Sequence, residues 1–124
     1  MAGLELWHNP RCSKSRAALA LLEAQRCPFT LRLYLEAPPT REALASVIQA
    51  LGLTPRSFLR RKEDAFKTLG LAEASEEACL DAMVAHPVLI ERPVLVAGDR
   101  AALGRPDTSA LTALLDALAE ESSP

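Results

Sequence analysis

The chain has 124 residues, of which 49% are hydrophobic and 24% charged, a composition that fits one globular domain and excludes disordered or low-complexity classes. Lys and Arg number 14 against 16 Asp and Glu, for a net charge of -2, which argues against a generic nucleic-acid binder. No apolar run approaches the ~20 residues of a bilayer span, and the N-terminal Met-Ala-Gly-Leu-Glu-Leu-Trp lacks the basic region of a secretory signal, so a cytoplasmic location without membrane attachment is expected.

Leu4 to Trp7 alternates and runs into His8-Asn9-Pro10, a strand followed by a turn. From Ser13 to Arg26, Ala18, Leu19 and Leu22 recur at helical spacing, and Cys27-Pro28 stops that helix. Leu31, Leu33 and Leu35 then alternate with Arg32, Tyr34 and Glu36, which predicts a second strand and closes a βαβ unit. After Pro38-Pro39, Thr40 is placed to cap a helix with Leu44, Val47, Ile48 and Leu51 on one face and Gly52 at its end. Thr54-Pro55 starts a short helix, Gly70 interrupts the chain, and Ser75-Glu76-Glu77 opens a further helix that closes at His86-Pro87. Val94 to Ala97 and Ala101 to Leu103 flank Gly98-Asp99 as a hairpin, and Leu111, Leu114, Leu115 and Leu118 line one face of a last helix. The order βαβ, helices, ββα is that of a thioredoxin-like α/β core with an inserted helical subdomain. The chain reads as one domain over 1–124, with the core at 3–37 and 88–120 and the insert at 40–86.

The three cysteines are irregularly spaced and make neither a disulfide framework nor a zinc set. Cys12 stands between strand and helix, where unpaired backbone N–H groups and the helix dipole favour a thiolate. Arg11, Lys14 and Arg16 add positive charge nearby, and the same N–H groups suit an oxyanion beside the sulfur. Position 15 is Ser, so Cys-x-x-Ser offers no local resolving thiol. A phosphatase loop requires Arg where Ala18 stands, and a Walker loop requires glycines that are absent between Gly3 and Gly52. Cys27, at a helix end, and Cys79, on a stripe with Leu80, Met83 and Val84, read as structural, and His86 as part of a helix stop.

Trp7-His8-Asn9-Pro10-Arg11-Cys12-Ser13-Lys14-Ser15-Arg16 resembles the signature of the glutaredoxin-dependent arsenate reductase family. The likeness continues through Tyr34-Leu35-Glu36-Ala37-Pro38-Pro39, Leu59-Arg60-Arg61-Lys62, Leu69-Gly70-Leu71, His86 to Pro93 and Leu103-Gly104-Arg105-Pro106. The resemblance implies that Cys12 is the nucleophile, that His8 and Ser15 tune its thiolate, and that Arg60, Arg92 and Arg105 handle the oxyanion. Spacing alone does not separate Arg60 from Arg61; the resemblance favours Arg60. It also implies a cis bond before Pro93, with Arg92 turned towards Cys12. The substrate implied is arsenate, with glutathione as co-substrate and glutaredoxin as partner, no bound cofactor or metal, and a monomer as the default. Arginine suits this chemistry independently, because guanidinium groups grip tetrahedral oxyanions in forked fashion. As an imidazolium, His8 would lower the thiol pKa.

Two other functions are compatible with the fold. One is a transcription regulator of the same superfamily that binds RNA polymerase and senses oxidation through Cys-x-x-Cys; Ser15 counts against it. The other is a glutathione-dependent thiol oxidoreductase with a different substrate, since arginines also suit glutathione carboxylates.

Overall fold

The structure, a computed structural model, describes residues 3–26 and 28–122; Cys27, expected at a helix stop, lies outside them. The chain forms two compact units, one running to Arg32 and resuming at Arg92, the other spanning Leu33–Glu91.

The first unit holds β1 (Leu4–Trp7), α1 (Ser13–Gln25), β2 (Phe29–Arg32), β3 (Val94–Ala97), β4 (Arg100–Leu103) and α6 (Ser109–Ser122). The sheet order is β2-β1-β3-β4. β1 runs parallel to β2 and antiparallel to β3, and β3 pairs antiparallel with β4 across a turn where Gly98 takes a positive φ of 63°. Leu6 lies opposite Leu95, and Leu95 opposite Ala102, so all three point to one face. There they meet Ala18 and Leu22 of α1 and Leu111, Leu114 and Leu115 of α6 in a single buried cluster. Trp7 and Val94, which are cross-strand partners, are also fully buried. The central strands therefore bury side chains on both faces. This is the thioredoxin-like α/β arrangement, and it delivers the β1–α1 loop and the start of β3 to the same end of the sheet.

The second strand is shorter and earlier than the alternation of Leu31 to Glu36 suggests. β1 ends at Trp7, so residues beyond Arg32 have no neighbour to pair with. His8 N–H closes the ladder on Arg32 O at 2.9 Å, and Glu36 and Ala37 N–H both turn back onto Leu33 O at 2.9 Å. The burial is also reversed: Tyr34 is buried, while Leu31 and Leu35 are 41% and 43% exposed.

The second unit contains α2 (Arg41–Ala50), α3 (Pro55–Phe58), α4 (Asp64–Thr68) and α5 (Glu76–Ala85), with single 3-10 turns at Leu71–Glu73 and Pro87–Leu89. Its helix starts follow local chemistry. Thr40 Oγ1 accepts from Ala43 N–H at 3.1 Å, Ser75 Oγ accepts from Ala78 N–H at 3.1 Å, and Thr54 with Ser57 forms a reciprocal capping box. Leu44, Val47 and Ile48 of α2, Phe58 of α3, and Cys79, Leu80 and Met83 of α5 supply buried side chains. Arg41 of α2 pairs with Glu77 and Asp81 of α5 on the surface. Among the described residues no helix is long and apolar enough to cross a membrane.

Candidate active site

The β1–α1 loop is organised by Asn9. Its Oδ1 accepts from Arg11 N–H at 3.0 Å, its carbonyl accepts from Cys12 N–H at 3.0 Å, and its own N–H donates to Ser15 Oγ at 3.2 Å. An asparagine bonding the backbone two residues on is a self-made turn. It brings Cys12 to the N-cap of α1 with extended backbone. Serine, threonine or aspartate would ordinarily stand there and bond the N–H groups of the first turn. Cys12 makes no such capping bond, and the Lys14 and Ser15 N–H groups left open at the helix start favour the charged form of its sulfur.

Burial pushes the Cys12 thiol up. It is outweighed by the Ser15 backbone N–H, the charge of Arg92, the Lys14 backbone N–H and a side-chain hydrogen bond from Arg92, so the thiol lies below the ordinary cysteine range. Fixed donors thus favour the anionic form of the sulfur, which lies in a buried position, 9% exposed. The cation beside it is the distant Arg92 and not the basic side chains next to it in sequence. Arg11, Lys14 and Arg16 are exposed, and Arg16 directs its guanidinium to Pro10 O at 2.9 Å.

Arg92 precedes β3, and the Arg92-Pro93 bond is cis, as is Arg105-Pro106; the second was not anticipated from the sequence. Arg105 Nη1 reaches Arg92 O at 3.4 Å. The first unit therefore brings Cys12, Arg92 and Arg105 together, with Ser15 and His8 beside them. Ser15 is fully buried; its amide faces the sulfur and its hydroxyl holds Asn9. His8 is 3% exposed and its Nδ1 has no hydrogen-bond partner. Burial and the charge of Arg16 push the His8 imidazole below its ordinary value, against a raising hydrogen bond with the Ser15 backbone. The shift disfavours the imidazolium form of His8, and the positive charge that lowers the Cys12 thiol is that of Arg92.

Arg60 belongs to the second unit. Its N–H donates to Leu89 O at 2.9 Å, beside a bridge between Leu59 and Ile90. Its guanidinium pairs with Glu63 at 2.9 Å and with Glu91 at 4.0 Å. Arg61 is instead exposed and lies over the Phe66 ring at 5.9 Å. The carboxylates on Arg60 are a feature that sequence reasoning missed; the i,i+3 spacing of Arg60 and Glu63 signals one of them.

Cys79 is fully buried on α5. Burial raises its thiol, with Arg56 and Arg61 lowering and Glu76 raising it, for a net upward shift. Such a thiol is inert. Cys79→Ser should lower stability by about 1–3 kcal/mol, because it places a hydroxyl in an apolar site, and should leave Cys12 alkylation unchanged. A well-folded Cys79→Ser protein that has lost turnover while Cys12 still reacts would instead show an internal resolving thiol.

Fold and site together define a thioredoxin-like protein with one activated cysteine at a helix N-terminus and an arginine on its sulfur. The family model described as "ArsC family" matches residues 7–113. The chain is 43% identical over 109 residues to an arsenate reductase of Neisseria meningitidis serogroup A, covering 86% of this chain and 93% of that one. It is 36% identical over 119 residues to an arsenate reductase of Escherichia coli K12, covering 94% and 84%. The solved arsenate reductase structure from Vibrio cholerae superposes with a TM-score of 0.82 at 42% identity, covering 90% of this chain and 97% of that one. The chain belongs to the ArsC family.

Proposed function

We propose that this protein is a cytoplasmic, monomeric arsenate reductase that uses Cys12 as nucleophile and draws its electrons from glutathione. The observation that carries the reading is Cys12 at the uncapped N-terminus of α1, its thiol lowered by the first-turn amides and by Arg92. An anionic sulfur attacking an oxyanion that carries about two negative charges needs that charge offset in the transition state, and preorganised donors supply this. The relatives named arsenate reductases match along most of their length, which supports the substrate.

In the first step the Cys12 thiolate forms a bond to arsenic, two protons are taken up and one oxygen leaves as water. A glutathione thiolate then attacks the Cys12 sulfur. The sulfur–arsenic bond breaks with its electron pair remaining on arsenic, which leaves as arsenite, and Cys12 is left in a mixed disulfide with glutathione. A glutaredoxin thiolate attacks the glutathione sulfur of that disulfide and releases the Cys12 thiolate. Arg92 and Arg105 carry the oxyanion in this scheme, and Arg60 is the third arginine. An arsenate that engages Arg60 competes with Glu63 and Glu91 for its guanidinium. Ser15, bonded to Asn9, and the buried His8 hold the loop that aims the sulfur.

Ser15, buried and bonded to Asn9, stands where a redox-switch regulator requires a second thiol. Arsenate-dependent turnover, assayed with and without glutathione and glutaredoxin, tests the reading. Arsenite release beyond one equivalent per chain that needs both thiol donors supports it. Reduction of a glutathione mixed disulfide with no arsenite formed from arsenate would contradict it.

A further inference from the structure

Gly104 lies directly after β4 and has no role in the scheme above. Its N–H donates to Pro93 O at 2.9 Å, which extends the β3–β4 ladder by one rung. Positive φ values are recorded for Gly52, Gly70 and Gly98 but not for Gly104, so backbone conformation does not call for glycine here. Space does. A Cβ at position 104 would lie 2.5 Å from Pro93 Cγ, 3.2 Å from Pro93 Cδ and 3.3 Å from Leu111 Cδ1. The first distance is far inside ordinary carbon contact. The Pro93 ring is closed on its own backbone and cannot swing aside as a flexible side chain would. Pro93 and Leu111 are both buried, so a methyl group there must displace the Pro93 backbone or the end of β4. Each carries an arginine of the site: Arg92 precedes Pro93, Arg105 follows Gly104, and Arg105 Nη1 rests on Arg92 O at 3.4 Å.

We propose that Gly104 is a positioning residue for Arg92: the missing side chain lets the Pro93 ring seat against the end of β4, and that seat sets the backbone from which the guanidinium reaches Cys12. The inference rests on the pairing of Cys12 with Arg92 in the proposed function. Its effect on the Cys12 thiol passes through Arg92, the one arginine side chain that lowers that thiol, so two substitutions acting on one contact should be non-additive.

The test compares the pH dependence of Cys12 alkylation, located by mass spectrometry, in wild type, Gly104→Ala, Arg92→Ala and the double variant. Gly104→Ala should move the midpoint towards that of free cysteine and slow alkylation several-fold at pH values below the wild-type midpoint, where the rate follows the thiolate fraction. In the Arg92→Ala background the same change should alter the rate by less than about 2-fold. Val47→Ala, in the core of the insert, should lower Tm without moving the midpoint. A Gly104→Ala protein that loses Tm but keeps the wild-type midpoint would overturn the proposal, as would a shift of full size in the Arg92→Ala background. Where Gly104→Ala does not fold, Pro93→Ala is compared with Pro93→Ala/Gly104→Ala. With Cγ and Cδ removed the added methyl loses its closest contacts, so the two midpoints should coincide; a further shift in the double variant overturns the proposal. Alkylation requires no arsenate, so a protein that fails to reduce arsenate still decides the role of Gly104.

Discussion

Replacing Cys12 with Ser should reduce arsenate turnover to the rate without protein, while Tm holds or rises. A serine hydroxyl is not ionised near neutral pH and cannot form the disulfide that the second step requires. At the N-cap, however, serine is among the preferred residues, and its oxygen would accept a first-turn N–H that Cys12 leaves without a capping bond, a gain of the order of 1 kcal/mol. Opposite movements of activity and stability mark a residue kept for chemistry at a position where another residue folds better. In the wild type, alkylation of Cys12 should titrate with a midpoint below the ~8.5 of free cysteine. The sign follows from the site: the Ser15 and Lys14 amides and Arg92 all favour the charged form, and together they exceed the opposing effect of burial. A midpoint at or above the free value would remove the activated nucleophile from the account.

Arg92→Ala should lower arsenate turnover by roughly 10²-fold or more, the scale seen when a partner of transition-state charge is removed. The same variant should raise the alkylation midpoint of Cys12, because the guanidinium contributes both its charge and a hydrogen bond to the sulfur. Arg92→Lys should recover only part of the rate. An ammonium restores the charge but not the planar fork that engages an oxyanion through two parallel bonds. Steady-state kinetics of the three proteins, read beside the thiol titration, separates the two contributions. Turnover of Arg92→Ala within about 2-fold of wild type, with an unmoved thiol midpoint, would take Arg92 out of the site.

What could be read from the sequence is local. Thr40, Thr54 and Ser75 cap helices through bonds to residues three places on, and such bonds depend on nothing outside the segment. The position of Cys12 between strand and helix is legible for the same reason. The second strand was misread because its alternation is real but its length is set by β1, which ends at Trp7 and leaves Leu33 to Glu36 without a partner. Proximity in sequence assigns the charge beside the sulfur to Arg11, Lys14 and Arg16, whereas Arg92, eighty residues away in the chain, provides it. Only a family resemblance pointed there, since periodicity carries no information about which loops meet. The contact between Gly104 and Pro93 is equally non-local: a glycine required for space looks in sequence like a glycine in a turn. The lowering of the His8 imidazole comes from its burial and from Arg16, and neither effect can be weighed without coordinates.

The central claim is that Cys12 delivers electrons to arsenic and is itself oxidised onto glutathione. A single-turnover experiment addresses it directly. The reduced protein is mixed with arsenate and glutathione in the absence of glutaredoxin, arsenite is quantified, and the intact chain and its peptides are analysed by mass spectrometry. The account predicts one equivalent of arsenite per chain, formed together with one glutathione bound in disulfide linkage at Cys12, and neither product in Cys12→Ser. Arsenite formed with the glutathione on another cysteine, or a Cys12 that is glutathionylated equally fast without arsenate, would contradict it.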